Sequence, residues 1–138
     1  MGKYTLDFTA NEINNRLSKL NDTPISMELV WENASPTSEF GAQDITINLS
    51  DYSLIEIEFK ISTTQERTFR EKSLINTGGF ACFIYGSVDA GIYGGYRYFT
   101  PFDDKINFST CWRPTTSTEA VDNTYCIPIK VYGIKGVQ

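Results

Sequence analysis

A strict two-residue alternation of apolar and polar side chains is the feature that most limits what this chain can fold into. In residues 55–61, isoleucines and a phenylalanine alternate with glutamate and lysine, and similar alternation recurs in 45–49, 106–112 and 127–132. Successive side chains of a β-strand point to opposite faces, so this period indicates strands with one face in a core and the other in water. The chain is therefore predicted to be mainly β.

Eight predicted strands, of which these four alternate most clearly, indicate an antiparallel β-sandwich. Short turn-forming clusters separate them and no second helix is predicted, so a jelly-roll-like sandwich is the simplest architecture. The run 80–85 is apolar on both faces and is expected to be a central strand. Pro128 lacks an N–H group and is expected at a sheet edge or a bulge. The predicted strands lie near residues 27–32, 44–49, 54–61, 67–76, 80–86, 91–99, 105–113 and 126–134.

Residues 1–24 are expected to form a helical neck before a β-sandwich domain at 25–138. Thr9 and Glu12 match a capping box, which predicts a helix over about 10–20. Apolar residues recur here at spacings of four and three, the pattern of a coiled-coil seam. Two interpretations stay open: the helix packs on its own domain, or it joins several subunits. The predicted oligomerisation residues are Leu6, Ala10, Ile13, Leu17 and Leu20.

The composition excludes several classes of function. The sequence has no histidine, and 12 lysines and arginines against 17 aspartates and glutamates give a formal net charge of −5. Without histidine there is no Ser-His-Asp triad, imidazole base or histidine metal ligand. Phosphate binding needs clustered lysine and arginine, so nucleic acid is not expected as a partner. No apolar run approaches the roughly 20 residues that cross a bilayer. We expect no cofactor and no membrane insertion.

The cysteines and paired carboxylates give no clear reactive site. Cys82, Cys111 and Cys126 are too widely spaced for a zinc motif, and three buried free thiols are favoured over one disulfide with a leftover thiol. Glu56 and Glu58 lie about 6.5–7 Å apart on one strand face, within the range of inverting glycosidases. Outward glutamates that alternate with inward isoleucines are, however, typical of a solvent face. We therefore predict that the protein is not an enzyme.

The segment 92–99 concentrates four aromatic residues and an arginine. Tyr96 and Tyr98 are expected on one strand face and Arg97 on the other. Such residues suit stacking on sugar rings, a subunit interface or ordinary core packing, and these three interpretations stay open, with Trp112 expected in the core. The candidate ligand-binding residues are Tyr93, Tyr96, Arg97, Tyr98, Trp112 and Arg113.

Two stretches resemble a known group of proteins. Residues 31–43 follow the pattern W-x-N-x-S-P-T-S-x-F-x-A-Q and lead into an L-S-x-Y turn at 49–52, and residues 126–136 form a closing strand that ends in Y-G-I-K-G. Both resemble stretches of small structural proteins of phages and prophages of Gram-positive and gut bacteria, in fibre-like or tail-associated modules. The resemblance implies a virion appendage with a β-sandwich head, often trimeric, on a short neck. It implies no catalytic residues.

The residues and the resemblance together predict a non-enzymatic phage virion appendage module. It would assemble in the bacterial host cytoplasm as a homo-oligomer, most simply a homotrimer, beside other virion proteins. It would display loops for attachment, with a cell-surface saccharide as the candidate ligand. The alternative function is a carbohydrate-binding module without a virion role.

Overall fold

The computed structural model describes residues 9–21, 25–87, 91–114 and 118–136. Within these ranges the chain forms one helix and nine strands, and the strands make two antiparallel sheets that pack against each other. The predicted β-sandwich with one N-terminal helix is confirmed. The elements are α1 (Ala10–Asn21), β1 (Ser26–Glu32), β2 (Gln43–Thr46), β3 (Leu54–Ser62), β4 (Gln65–Leu74), β5 (Gly79–Ser87), β6 (Gly91–Pro101), β7 (Lys105–Pro114), β8 (Glu119–Val121) and β9 (Tyr125–Lys135).

Helix α1 begins at the predicted capping box. The Thr9 N–H donates a hydrogen bond to Glu12 Oε2 at 2.8 Å, and the Glu12 N–H donates back to Thr9 Oγ1 at 3.3 Å. The bonds from Thr9 lower the pKa of the Glu12 carboxyl because they favour its charged form. The pair satisfies donors that the first helical turn leaves without partners.

No helix in the described ranges is long and apolar enough to cross a membrane.

The seam predicted along α1 is open to solvent where its side chains are described. Ala10 is exposed and Ile13 is 45% exposed, and α1 makes no extensive contact with any strand of the described chain. Leu6 lies outside the described residues, as do the side chains of Leu17 and Leu20. Packing of α1 on its own sandwich therefore finds no support in Ala10 or Ile13.

The first sheet has the strand order β1-β9-β3-β4, and the second has the order β2-β7-β6-β5, with β8 paired to the end of β7. The pairings of β1 with β9 and of β2 with β7 are jelly-roll-like. The consecutive antiparallel pairs β3–β4, β5–β6, β6–β7 and β7–β8 each stay in one sheet. The expectation that the run 80–85 is a central strand is wrong, because β5 lies at a sheet edge. Strand β8 lies in a segment predicted as a turn, and its three residues are too few to show a period.

The core lies between the sheets and consists of the inward rows of the alternating strands. Phe59 is fully buried, with its ring stacked on Phe69 at a centroid distance of 5.4 Å and 5.8 Å from that of Phe99. Phe40, from the loop after β1, meets Phe108 edge-on at 5.3 Å. Burial of a side chain of this size contributes roughly 1.5–3 kcal/mol relative to exposure. Other fully buried members are Leu49, Ile55, Ile57, Ile106, Ile127 and Val131.

Pro128 lies in the middle of the first sheet, at an irregularity of β9. The register between β3 and β9 shifts between Glu58 and Phe59, and Phe59 is the partner of Pro128, so the proline occupies a bulge as predicted. Asn33 fastens the loop after β1 to this bulge. Its N–H donates to Ile129 O at 2.9 Å, and its side-chain amide donates to Pro128 O at 3.0 Å.

The two stretches that carry the family resemblance pack against each other. The ring of Tyr52, from the L-S-x-Y turn, covers Gly133 of the closing strand, and its hydroxyl donates to Glu28 Oε2 on β1 at 2.7 Å. That hydrogen bond, together with partial burial, raises the pKa of Tyr52 to about 12. Lys135 Nζ lies 4.9 Å from the ring centroid, a cation–π contact. These residues hold β1, the turn and β9 together.

The close approach of Tyr52 to Gly133 predicts that Gly133→Ala destabilises the fold. An added Cβ would overlap the tyrosine ring, and overpacking of this kind typically costs about 1–3 kcal/mol. Gly41→Ala is the matched control, because its Cβ would meet only Asn123 Nδ2 at 3.9 Å, an ordinary contact. Chemical denaturation of both variants measures the difference. Equal midpoints for the two variants would contradict the assigned packing.

Candidate functional site

Ion pairs cover the outer face of the first sheet on β3 and β4. Arg70 Nη1 lies 2.8 Å from Glu56 Oε1 and its Nη2 lies 3.3 Å from Glu58 Oε2, while Lys72 Nζ lies 3.4 Å from Glu56 Oε2. Both glutamates face outward as predicted, yet each is bound to a cation and Glu56 is only 7% exposed. The expectation of a freely solvated glutamate pair is therefore corrected.

The outer face of the second sheet is apolar and aromatic on β5 and β6, whereas on β2 and β7 it carries the ion pair of Asp44 and Lys105. Strands β5 and β6 pair so that Phe80 lies opposite Tyr98, and Cys82 lies opposite Tyr96. Residues paired across an antiparallel ladder point to the same face. The predicted alternation of β6 is confirmed, with Tyr96 and Tyr98 outward and Arg97 inward. The backbone of Tyr93 pairs with that of Tyr85, but its side chain lies outside the described part of the structure.

Three rings form the centre of this outer face. The Phe80 centroid lies 5.1 Å from that of Tyr98 and 5.4 Å from that of Tyr96, and the two tyrosine rings meet edge-on at 5.8 Å. Phe80 is 44% exposed and Tyr98 is 54% exposed. Aromatic contacts at these distances add about 0.5–1.5 kcal/mol each beyond burial. The rings thus support each other while still presenting surface to a partner.

Trp112 lies on this outer face and not in the core. It pairs with Tyr96 on one side and with the exposed Val121 of β8 on the other. The reason is a bulge: opposite Tyr98, β7 contains one residue more than β6, so its alternation is reversed beyond that point. The reversal places Cys111 inward and Trp112 outward.

A shallow apolar groove of about 220 Å³ runs beside the rings between β5, β6 and the end of β7. Ile84 forms one wall and is 79% exposed. Gly94 also lines the groove, and a Cβ added there would lie 3.2 Å from Phe83 O and 3.6 Å from Ile84 Cγ1. We call the whole surface the aromatic face. Its described members are Phe80, Cys82, Ile84, Gly94, Tyr96, Tyr98, Trp112, Pro114 and Val121.

One carboxylate lies at the rim of the aromatic face. The Tyr96 hydroxyl donates a hydrogen bond to Glu119 Oε1 on β8 at 2.7 Å. This bond is the main cause that raises the pKa of Tyr96 to about 12. The phenol is therefore neutral at ordinary pH, and Glu119 already has a partner.

Arg97 does not belong to a ligand surface, which corrects that part of the prediction. Its side chain is fully buried on the inner face of β6. Nε donates to Cys126 O at 3.0 Å, Nη2 donates to Phe40 O at 2.6 Å and to Tyr125 O at 3.4 Å, and Nη1 donates to Ser109 O. All four acceptors are backbone carbonyls. Burial lowers the pKa of the guanidinium because it disfavours the charged form.

Arg113 is also directed away from the aromatic face. Its guanidinium carbon lies 4.1 Å from the ring centroid of Tyr125, and its Nη1 lies 3.2 Å from Asp122 Oδ2. The Tyr125 ring in turn stacks on Phe83, which belongs to a buried cluster. Of the six candidate ligand-binding residues, the structure brings together Tyr96, Tyr98 and Trp112.

The cysteines divide between the two environments. Cys111 and Cys126 are buried in one cluster, and all three thiols are free. The hydrogen bond between these two thiols lowers the pKa of Cys111, and with burial it raises that of Cys126. Cys82 is exposed on the aromatic face, so the expectation of three buried thiols is wrong for this residue. Cys82 lies on the outward row of β5, so its side chain is exposed although its neighbours in the sequence are apolar.

The contacts of Arg97 predict that Arg97→Met strongly destabilises the protein. Methionine fills similar space but donates nothing, and four buried carbonyls would lose a donor, each at a cost of about 1–3 kcal/mol. We expect a total loss of at least about 2 kcal/mol in the free energy of unfolding. Arg67→Met, at an exposed arginine of β4, is the control and should change stability little. A thermal and chemical unfolding comparison in which both variants behave alike would refute the assigned role.

Comparison of the chain with models of known protein families gives no match, and comparison with curated proteins gives none either. The roles of the residues on the aromatic face therefore rest on their contacts, exposure and charge.

Proposed function

We propose that this protein is a non-enzymatic subunit of a phage virion appendage, and that copies associate with their aromatic faces buried against one another. The observation that carries the proposal is the exposed apolar surface of Phe80, Ile84 and Tyr98 on the two adjacent strands β5 and β6, at one side of the second sheet. Contiguous exposed apolar surface on a soluble domain marks an interaction site. Tyrosine, tryptophan and phenylalanine are also the residues enriched at interface cores.

Charge favours a second copy as the occupant of this face. A chain with a net charge of −5 repels its own copies, so self-association needs a surface that is poor in carboxylates. The described centre of the aromatic face carries no charged side chain, and its carboxylate, Glu119, lies at the rim, where it accepts a hydrogen bond from Tyr96. An apolar patch has no fixed charge pattern to match, so copies of it can meet around a symmetry axis.

The virion role is supported by the sequence resemblance. The two resembling stretches form one structural unit, in which Tyr52 covers Gly133 and Asn33 holds the bulge of β9. Ala10 and Ile13, the two seam residues whose side chains are described, are exposed and so could make a second contact between copies. The trimeric state and the attachment role belong to this proposal.

Carbohydrate binding by a monomer is the second candidate function. The exposed ring of Tyr98 and the hydroxyl of Tyr96 favour it, since sugar rings stack on aromatic side chains. The groove beside them is lined almost entirely by apolar atoms, which suits a protein partner better than a polyhydroxylated ring. A glycan array probed with the wild type and with Tyr98→Ala separates the two functions. Specific sugar binding by a monomer would favour this candidate.

The proposal predicts that Ile84→Glu prevents association. The new carboxylate would be buried in an apolar contact, and we expect this to cost roughly 2 kcal/mol or more per contact. Leu74→Glu is the matched control, because Leu74 is 53% exposed on the first sheet. Light scattering should give an oligomeric mass for the wild type and Leu74→Glu and a monomeric mass for Ile84→Glu. A monomeric wild type, or an Ile84→Glu variant that remains oligomeric, would overturn the proposal.

Alkylation of Cys82 distinguishes association through the aromatic face from association through α1 alone. We expect the thiol to be protected in the wild-type assembly and modified rapidly in Ile84→Glu, while denatured protein exposes all three cysteines. Deletion of residues 1–23 tests how far association depends on α1. If the shortened protein is monomeric, and Cys82 is unprotected both in it and in the wild type, the association belongs to the helix. Mass spectrometry of the alkylated peptides gives the readout.

A further inference from the structure

A separate pocket lies on the outer face of the first sheet, where the loop after β1 crosses the bulge of β9. Its volume is about 150 Å³, well below the 300–1,000 Å³ that is usual for drug-sized ligands, so it suits a ligand of one small ring. Both apolar and charged groups line it. The residues used below are Glu32, Pro36, Lys60, Glu66, Ile129 and Lys130.

Lys60 is the unusual group of this pocket. Its side chain is only 5% exposed, and its Nζ lies 2.9 Å from Oε1 of Glu66, whose side chain is 88% exposed. An ammonium carries three donors, and burial of one is costly unless acceptors surround it. A single solvent-exposed glutamate is a weak partner for such a group, because holding its side chain in place competes with water and rotamer freedom. A ligand oxygen in the pocket can replace the Glu66 carboxylate at Lys60.

A second lysine, Lys130, lines the same pocket, and its ion pair is longer than that of Lys60. Lys130 Nζ lies 3.7 Å from Glu32 Oε1, and the two side chains are 37% and 60% exposed. This pair offers both donors and acceptors to hydroxyl groups. Pro36 and Ile129 provide an apolar wall beside them. The combination matches a molecule with one carboxylate, several hydroxyls and a C–H face.

We infer that the pocket binds a single sugar residue that carries a carboxylate, such as a uronic acid. The ligand carboxylate takes the place of Glu66 at Lys60, the hydroxyls meet the Lys130–Glu32 pair, and the ring packs on Ile129. The inference rests on the attachment part of the proposed function for its biological meaning. It uses the opposite sheet from the aromatic face, so the site stays open when copies associate.

Titration of the wild-type protein with D-glucuronate and with D-glucose, followed by amide NMR shifts, tests the inference. The two sugars share the ring and differ in the carboxylate. We expect saturable shifts at Lys60, Ile129 and Lys130 with glucuronate, and binding at least about tenfold weaker with glucose, the loss that one charge-assisted bond implies. Equal binding of both sugars, or no binding of either, would refute the inference.

Replacement of Glu66 gives the sharper test, because its side chain is 88% exposed and glutamine keeps its size while removing its charge. Glu66→Gln removes the competing carboxylate and should tighten glucuronate binding several-fold, while Lys60→Gln should weaken it about tenfold or more. Glu39→Gln makes the same charge change at an exposed residue outside the pocket and is expected to leave the affinity unchanged. Weaker binding in Glu66→Gln, or equal tightening in Glu39→Gln, would show that Glu66 does not occupy the ligand position.

The outcomes separate this site from the proposed assembly. Ile84→Glu should bind glucuronate like the wild type, whatever its mass. A protein that is oligomeric through its aromatic face but does not bind glucuronate would overturn the site alone. Glucuronate binding that is lost in Ile84→Glu would instead place the acidic sugar on the aromatic face and overturn the assignment to Lys60.

Discussion

The buried guanidinium of Arg97 is the interaction on which the rest of the structure depends. From β6 of the second sheet it binds the carbonyls of Ser109 on β7 and of Tyr125 and Cys126 on β9 of the first sheet, and it also binds the loop at Phe40. One side chain therefore joins both sheets and the loop between them. Because Arg97 must point inward, its neighbours on β6 must point outward. The aromatic face follows from this constraint.

The two outer faces then differ in the kind of partner that each can accept. The first sheet is covered by ion pairs such as those of Arg70 and Lys72, and its pocket holds further paired charges. The second sheet presents aromatic and aliphatic side chains with few charges. If copies associate through the second sheet, the charged sheet and its pocket face away from the assembly. In that arrangement the second sheet would hold the copies together, and the first sheet would remain accessible to a ligand.

Patterns in the sequence predict the features of the structure that depend on residues close together in the chain. Alternation, together with the turn-forming clusters between segments, predicts eight of the nine strands. Alternation also predicts the buried row of Ile55 and Ile57, and the capping box at Thr9 predicts the start of α1. Pro128 was correctly expected at a bulge because it lacks an N–H group. The position of Trp112 was not predictable from its period, since the bulge in β7 depends on the partner strand. An apolar run such as 80–85 predicts burial, but it does not distinguish a core from a surface that awaits a partner. For that reason Ile84 and Cys82 were not recognised as members of the site, while Tyr96 and Tyr98 were.

The bulge in β7 has a consequence for how such a face changes during evolution. Because the alternation has a period of two, loss or gain of one residue near Ser109 would exchange the places of Cys111 and Trp112 without any substitution. An indole would then enter the core and a thiol would reach the surface. Deletions and insertions at this point, more than replacements, can therefore rebuild the outer face of the second sheet in a single genetic event.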